Sequence, residues 1–260
     1  MTAEYTLFDP TKNVTALVTT EIDPDLRAAA AAKIMEKEPA CEQVGFVYTD
    51  RDGRSRLDMA GGEFCGNASM AAGLLFAPEP ALRQPELLPG CSEAPYSAEL
   101  YVSGTPGPVE VAVMPWPDGA FGCSVRMPRP EKIFSAELPF EGKTYRLPVV
   151  SFPGISHVIV RSGLFTREQA EKAVRIWCRE LGVSALGIMN IESPVPGDKM
   201  IQSGAEALKM VPLVFVPAAD TLFWESSCAS GSAALGAYVL SLPGAENETE
   251  AAAVDISQPG

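Results

Sequence analysis

Residues 63–73, EFCGNASMAAG, and residues 226–236, SSCASGSAALG, say most about how this chain folds. Each is a run of small residues entered by a cysteine, Cys65 or Cys228, with a glycine eight positions later. Each follows a segment of strand character and leads into an apolar, Ala-rich run, so both read as strand, tight turn and short helix. Aligned on the cysteine, C-G-N-A-S-M-A-A-G and C-A-S-G-S-A-A-L-G agree in pattern more than in identity. A repeat of this kind implies two similar lobes with one cysteine turn in each.

The flanking segments extend the same plan. YTLF (5–8) and VTALVTT (14–20) read as a strand pair around a turn at DPTKN. Asp23-Pro24 then opens a helix through DLRAAAAAKIMEK, with Pro24 as a first-turn residue. VGFVYTD (44–50) and SRLDMA (55–60) form a hairpin at Asp52-Gly53. After the first cysteine turn the alternation resumes in AELYVSG, VEVAVMPW and GCSVRMP, and MPRPEK (127–132) marks a boundary between two strand-rich halves. The second half offers strands at YRLPVVSF and HVIVRS and a helix from Thr166, with Ala170, Ala173, Val174, Trp177 and Leu181 on one face. ALGIMNI and PLVFVP follow as strands, and AAAVDISQPG supplies a last one.

Composition narrows the function. The 260 residues carry 20 Lys+Arg against 33 Asp+Glu, a net charge of −13. Nucleic acid and anionic membranes recruit clustered basic residues, so neither is expected as a partner. A single histidine, His157, excludes a multi-histidine zinc site within one chain, and no metal is expected. The six cysteines form no C-x-x-C pair, no apolar run reaches the roughly 18 residues that span a bilayer, and MTAEYTLFDP does not resemble a secretory leader. The expected compartment is the cytoplasm, where cysteines persist as thiols.

A cysteine at a helix N-terminus meets the positive end of the helix dipole and several N–H groups without intrahelical acceptors. That setting lowers a thiol pKa from about 8.5 and forms an anion site. Two such cysteines facing each other across a cleft would bracket a small carboxylate. One sulfur, as thiolate, removes an α-proton, and the other, as thiol, returns a proton to the opposite face. The helix N-termini stabilise the developing enediolate charge, so the chemistry needs no cofactor. The remaining cysteines, Cys41, Cys91, Cys123 and Cys178, read as small buried hydrophobes.

GGEFCGNASMAA and WESSCASGSAALG resemble the two cysteine motifs of diaminopimelate epimerase-like enzymes. More closely, CEQVGF (41–46), GGEFCGNASM (61–70), PLVFVP (212–217), WESSCASGSA (224–233) and the terminal QPG resemble the cofactor-independent histidine racemases of staphylopine (opine metallophore) biosynthesis. The resemblance implies an α/β (α+β) fold of two lobes, each a curled, mostly antiparallel sheet around a central helix. It places the lobes at 1–128 and 129–249, with 250–260 returning as a strand to the first. It makes Cys65 and Cys228 catalytic and assigns substrate binding to Asn13, Gln43, Gly66, Asn67, His157, Glu225, Ser230 and Gly231. The partner it implies is a free amino acid, and a homodimer is compatible with it.

The chain departs from the epimerases where they grip a second carboxylate. Ser226 follows Glu225 where they carry Arg, Ile155-Ser156 replaces their Asn-Pro, and the first motif reads GNAS. A distal carboxylate would lack its bidentate partner, and Lys209 is the nearest cation in sequence. Histidine is therefore the expected substrate, ahead of diaminopimelate. Two alternatives stand beside this reading: a phenazine-biosynthesis-like isomerase, in which one carboxylate such as Glu63 moves the proton, and a carboxylate-binding protein without turnover.

Overall fold

The computed structural model describes residues 3–78, 96–116, 118–192, 208–242 and 256–259. Cys91 and most of the segment after the first cysteine helix lie outside them. The chain divides into two compact units, Met1–Pro10 with Val14–Pro128, and Thr11–Asn13 with Arg129–Gly260.

The first unit is a seven-stranded sheet in sequence order: β1 (Tyr5–Phe8), β2 (Thr15–Val18), β3 (Gln43–Thr49), β4 (Ser55–Met59), β5 (Tyr96–Val102), β6 (Pro108–Pro115) and β7 (Phe121–Val125). Helix α1 (Pro24–Lys37) links β2 to the parallel β3, and α2 (Gly66–Phe76) lies between β4 and the parallel β5. The other pairs are antiparallel. Asp23 caps α1 through its carboxylate and Pro24 sits where no N–H is needed, as the sequence indicates. The Asp52-Gly53 hairpin closes with Gly53 at φ +77°. Helix α2 is apolar nearly all round because the sheet curls about it. Ala68, Ala71 and Ala72 pack with Leu57, Leu100 and Val111, and a Cβ on Gly73 would collide with Val111.

The second unit contains β8 (Lys132–Phe140), β9 (Lys143–Phe152), β10 (Ile155–Arg161), β11 (Leu186–Ile191), β12 (Leu208–Val216) and β13 (Thr221–Trp224), in the sheet order β13-β12-β11-β10-β9-β8. The crossover from β10 to the parallel β11 is helix α3 (Arg167–Leu181), and α4 (Ala229–Leu240) follows β13. A reciprocal Thr166–Gln169 capping box starts α3, and Gly182 in the left-handed region ends it. Its buried face is Ala170, Ala173, Val174, Trp177 and Cys178; Leu181 only borders that core. Helix α4 packs on the sheet through a separate core that includes Ala234, Leu235, Met189 and Cys228. The mixed, mostly antiparallel α/β class expected from the resemblance is the class observed.

Two strands differ from the sequence expectation. KIFSAELPF, to which no strand is assigned above, forms β8 and pairs with β9 across Glu141-Gly142, both at positive φ. Phe134, Ala136, Leu138 and Phe140 alternate inward along it, and Pro139 falls on the outward face of this edge strand, where it costs no ladder bond. The last strand is a correction: β14 (Ile256–Ser257) does not return to the first lobe but pairs in parallel with Leu208–Lys209 of β12 in the second unit. Lys209 is exposed there.

Candidate active site

Both cysteines are helix N-caps, and their local geometry repeats. Cys65 caps α2 at φ −130°, ψ 113°. Cys228 caps α4 at φ −139°, ψ 104°. Each Sγ accepts the N–H three residues on, from Ala68 and from Gly231, at 3.4 Å in both cases. Four residues on, a serine hydroxyl folds back to the cysteine carbonyl, Ser69 at 2.7 Å and Ser232 at 3.1 Å. Sulfur thus takes the place that Ser, Thr or Asp holds in an ordinary N-cap, and the aligned serines of the repeat fix the peptide behind it. Those two serines were legible as a Cys-x-x-x-Ser match but drew no assignment above.

In the first unit, Gln43 stands at the start of β3 and its Oε1 accepts from Cys65 Sγ at 2.8 Å. Cys65 is half-buried, while Gly66 and Asn67 are buried in the first turn of α2. Ser103, after β5, donates to the Glu63 carbonyl at 2.8 Å, and Gly104 at φ +74° lies against the Glu63–Phe64 backbone. The entry to Cys65 is therefore propped by a Ser-Gly turn that sequence reading passed over. The Glu63 carboxyl is raised by burial, against the backbone N–H groups of Glu63 and Gly61, and its Oε2 has no partner among the described residues.

In the second unit, Ser230 Oγ lies 3.5 Å from Cys228 Sγ and 3.0 Å from His157 Nε2. His157 is wholly buried, its ring against the edge of Phe152, and a Cβ on Gly187 would collide with its Nδ1. Burial lowers the His157 pKa to about 3, so the ring is neutral. Nδ1 has no partner among the described residues, and an orphaned buried N–H is the costlier alternative, so the proton belongs on Nε2 and donates to Ser230. The Ser230 hydroxyl is then released to donate to sulfur. His157 thus reaches the cysteine through Ser230.

Glu225, at the end of β13, also hydrogen-bonds the Cys228 side chain. Burial pushes the Cys228 thiol well above its ordinary value, and the Glu225 charge adds to the rise; Ser230 and Gly231 act in the opposite sense. The expectation that a helix N-terminus lowers a cysteine's pKa is corrected here, since desolvation outweighs the dipole at a fully enclosed sulfur. The loop holding Asn13 belongs to this unit: Asn13 is fully buried, and the Thr11 hydroxyl bonds that of Ser227, next to Cys228.

Gln43, Gly66 and Asn67 accordingly gather at Cys65, and His157, Glu225, Ser230 and Gly231 at Cys228. Among the described residues no cluster of His, Cys, Asp or Glu is arranged to hold a metal, and no helix is long and apolar enough to cross a membrane.

The chain matches the model of the histidine racemase CntK N-terminal domain over residues 2–260. It is 30% identical over 244 residues to a histidine racemase of Fusobacterium nucleatum subsp. nucleatum, covering 91% of this chain and 81% of that one. A histidine racemase of Staphylococcus aureus is 24% identical over 242 residues, covering 90% and 79%. Among solved structures, a probable proline racemase of Agrobacterium radiobacter K84 shares the fold, with a TM-score of 0.58 at 13% identity over 92% of this chain and 77% of that one.

Proposed function

Because this chain belongs to the family of the histidine racemase CntK N-terminal domain, and is thereby an isomerase of the pyridoxal-phosphate-independent racemase and epimerase class, we propose that it inverts the α-carbon of histidine with Cys65 and Cys228 as its two acid–base groups. The observation that carries this reading is the repeat of one N-cap geometry at both cysteines, each sulfur on a helix N–H. Its partner is a free amino acid, and its expected compartment is the cytoplasm.

The two environments suit opposite starting roles. Cys228, buried and facing Glu225, rests as the thiol and donates a proton. Cys65 bonds an amide that accepts from a thiol through Oε1 and, after a flip, donates to a thiolate through Nε2. It can therefore begin as the base. One sulfur takes the Cα proton, the electron pair passes into the carboxylate, and the other sulfur protonates the opposite face; the return reaction exchanges the roles. First-turn N–H groups, at Gly66 and Asn67 on α2 and at Ser230 on α4, are the donors offered to a carboxylate as its charge grows, while the Gly231 N–H is turned to the Cys228 sulfur. Asn13, Glu225 and, through Ser230, His157 complete the surroundings of Cys228.

The substrate choice is supported by the relatives' activity and by Ser226, which offers no charge to a distal carboxylate. Deuterium wash-in at Cα tests the mechanism. Incubated in D₂O, L-histidine should gain deuterium and appear as D-histidine, and Cys65→Ser and Cys228→Ser should each slow inversion by orders of magnitude. Unimpaired inversion by either variant would exclude a two-cysteine mechanism.

A further inference from the structure

We propose that Gln258 is a positioning residue that completes the N-cap of α4 from a distant point in the chain and so holds Cys228 in its working orientation; this rests on the reading of Cys228 as an acid–base group. Gln258 follows β14, which its pairing with β12 fixes in the second unit. Its Oε1 accepts from the Cys228 N–H at 2.6 Å, and its Nε2 donates to Ser232 Oγ at 2.9 Å. Ser232 Oγ in turn donates to the Cys228 carbonyl at 3.1 Å. A single amide thereby ties down both peptide groups flanking the Cys228 Cα.

The reason for this arrangement lies in the third residue of the helix. In a capping box the N-cap N–H is answered by a Glu or Gln at that position. Helix α3 does this itself, with Gln169 Oε1 accepting from Thr166 N at 3.1 Å. In α4 the position is Gly231, where any Cβ would collide with Met189 and come within 3.3 Å of Cys228 Sγ. The residue that must stay small to bring its N–H to sulfur cannot also carry a capping side chain. Gln258 supplies the missing acceptor from 30 residues away. The groups that bond the sulfur are Gly231, Ser230 and Glu225, so Gln258 acts through the backbone.

Without that tie the Cys228 peptide gains freedom to rotate, and sulfur placement is what proton transfer depends on; displacements of about 1 Å can cost on the order of 100-fold. Gln258→Leu should lower kcat for histidine about 10- to 100-fold while KM stays within about twofold. It should also change the rate of iodoacetamide alkylation at Cys228, read by peptide mass spectrometry, and leave that at Cys65 unaltered. Gln258→Glu keeps the oxygen that accepts from the Cys228 N–H but lacks the donor to Ser232, so it should recover part of kcat, at least about threefold above Gln258→Leu. A Gln258→Leu enzyme with kcat within threefold of the parent would overturn the proposal, as would a Gln258→Glu enzyme equally impaired. Should Gln258→Leu fail to fold, Gln258→Ala decides by the same readouts, and a kcat within about threefold of the parent would overturn the proposal. Cys228→Ser separates the layers: if it is inactive while Gln258→Leu is normal, only the positioning role falls; if it is fully active, the acid–base reading falls first.

Discussion

Gln43 Oε1 lies 2.8 Å from Cys65 Sγ, whereas the side-chain carboxylate that bonds Cys228 is that of Glu225. An amide can serve either protonation state of a thiol, but an ionised carboxylate only accepts and therefore favours the protonated one. Gln43→Glu should make the first cysteine's surroundings resemble the second's. The ascending limb of the kcat/KM profile should move up by about one pH unit, with less change on the plateau. A pH–rate profile for L-histidine checks this, and an unmoved limb would remove Gln43 from the acid–base machinery.

Substrate preference follows from Ser226. Diaminopimelate brings a second carboxylate, and enclosing it without a cation should cost at least about 2.7 kcal/mol of transition-state stabilisation, or a hundredfold in kcat/KM. The two substrates compared on one enzyme decide the point. Preference for diaminopimelate would mean that some other group supplies the charge.

His157 gives a stability signature. Its folded pKa of about 3 lies below the ordinary histidine value of 6.5, so below that pH the unfolded chain binds the proton more readily. Stability associated with this residue is complete above about pH 6.5 and is lost as pH falls toward about 3, by up to about 1.4 kcal/mol per unit. Chemical denaturation of the parent and of His157→Gln between pH 7 and pH 4.5 should give curves that converge as pH falls. Parallel curves would show that the ring is not held neutral.

Gly104 links backbone strain to the first cysteine. At φ +74° it is left-handed, and an added Cβ would lie 2.7 Å from the Glu63 carbonyl carbon and closer still to Phe64 N. These are backbone atoms, which cannot step aside as a side-chain tip can. Gly104→Ala should destabilise the protein by about 2 kcal/mol or more and lower kcat by displacing the turn into Cys65. Urea denaturation and steady-state kinetics provide the two readouts, and a variant unchanged in both would contradict the account.

What the sequence determined by itself was whatever a local pattern encodes. The two small-residue runs, each entered by a cysteine with a glycine eight positions on, located both N-caps, Asp23-Pro24 and Thr166 opened α1 and α3, and the 3.6-residue period placed Ala170, Ala173, Val174 and Trp177 on a buried face. These features depend on residues within one or two turns of each other, so short-range hydrogen bonding and burial suffice. The edge strand β8 went unassigned although Phe134, Ala136, Leu138 and Phe140 alternate along it, because Pro139 within the run argues against a strand. Tertiary structure decided the rest. Only folding sets Gln43 against Cys65, stacks His157 behind Ser230, and carries Gln258 to the Cys228 N–H. It also reversed the expected direction for the Cys228 thiol, because a helix dipole is a property of nearby residues while desolvation is a property of everything packed around the sulfur.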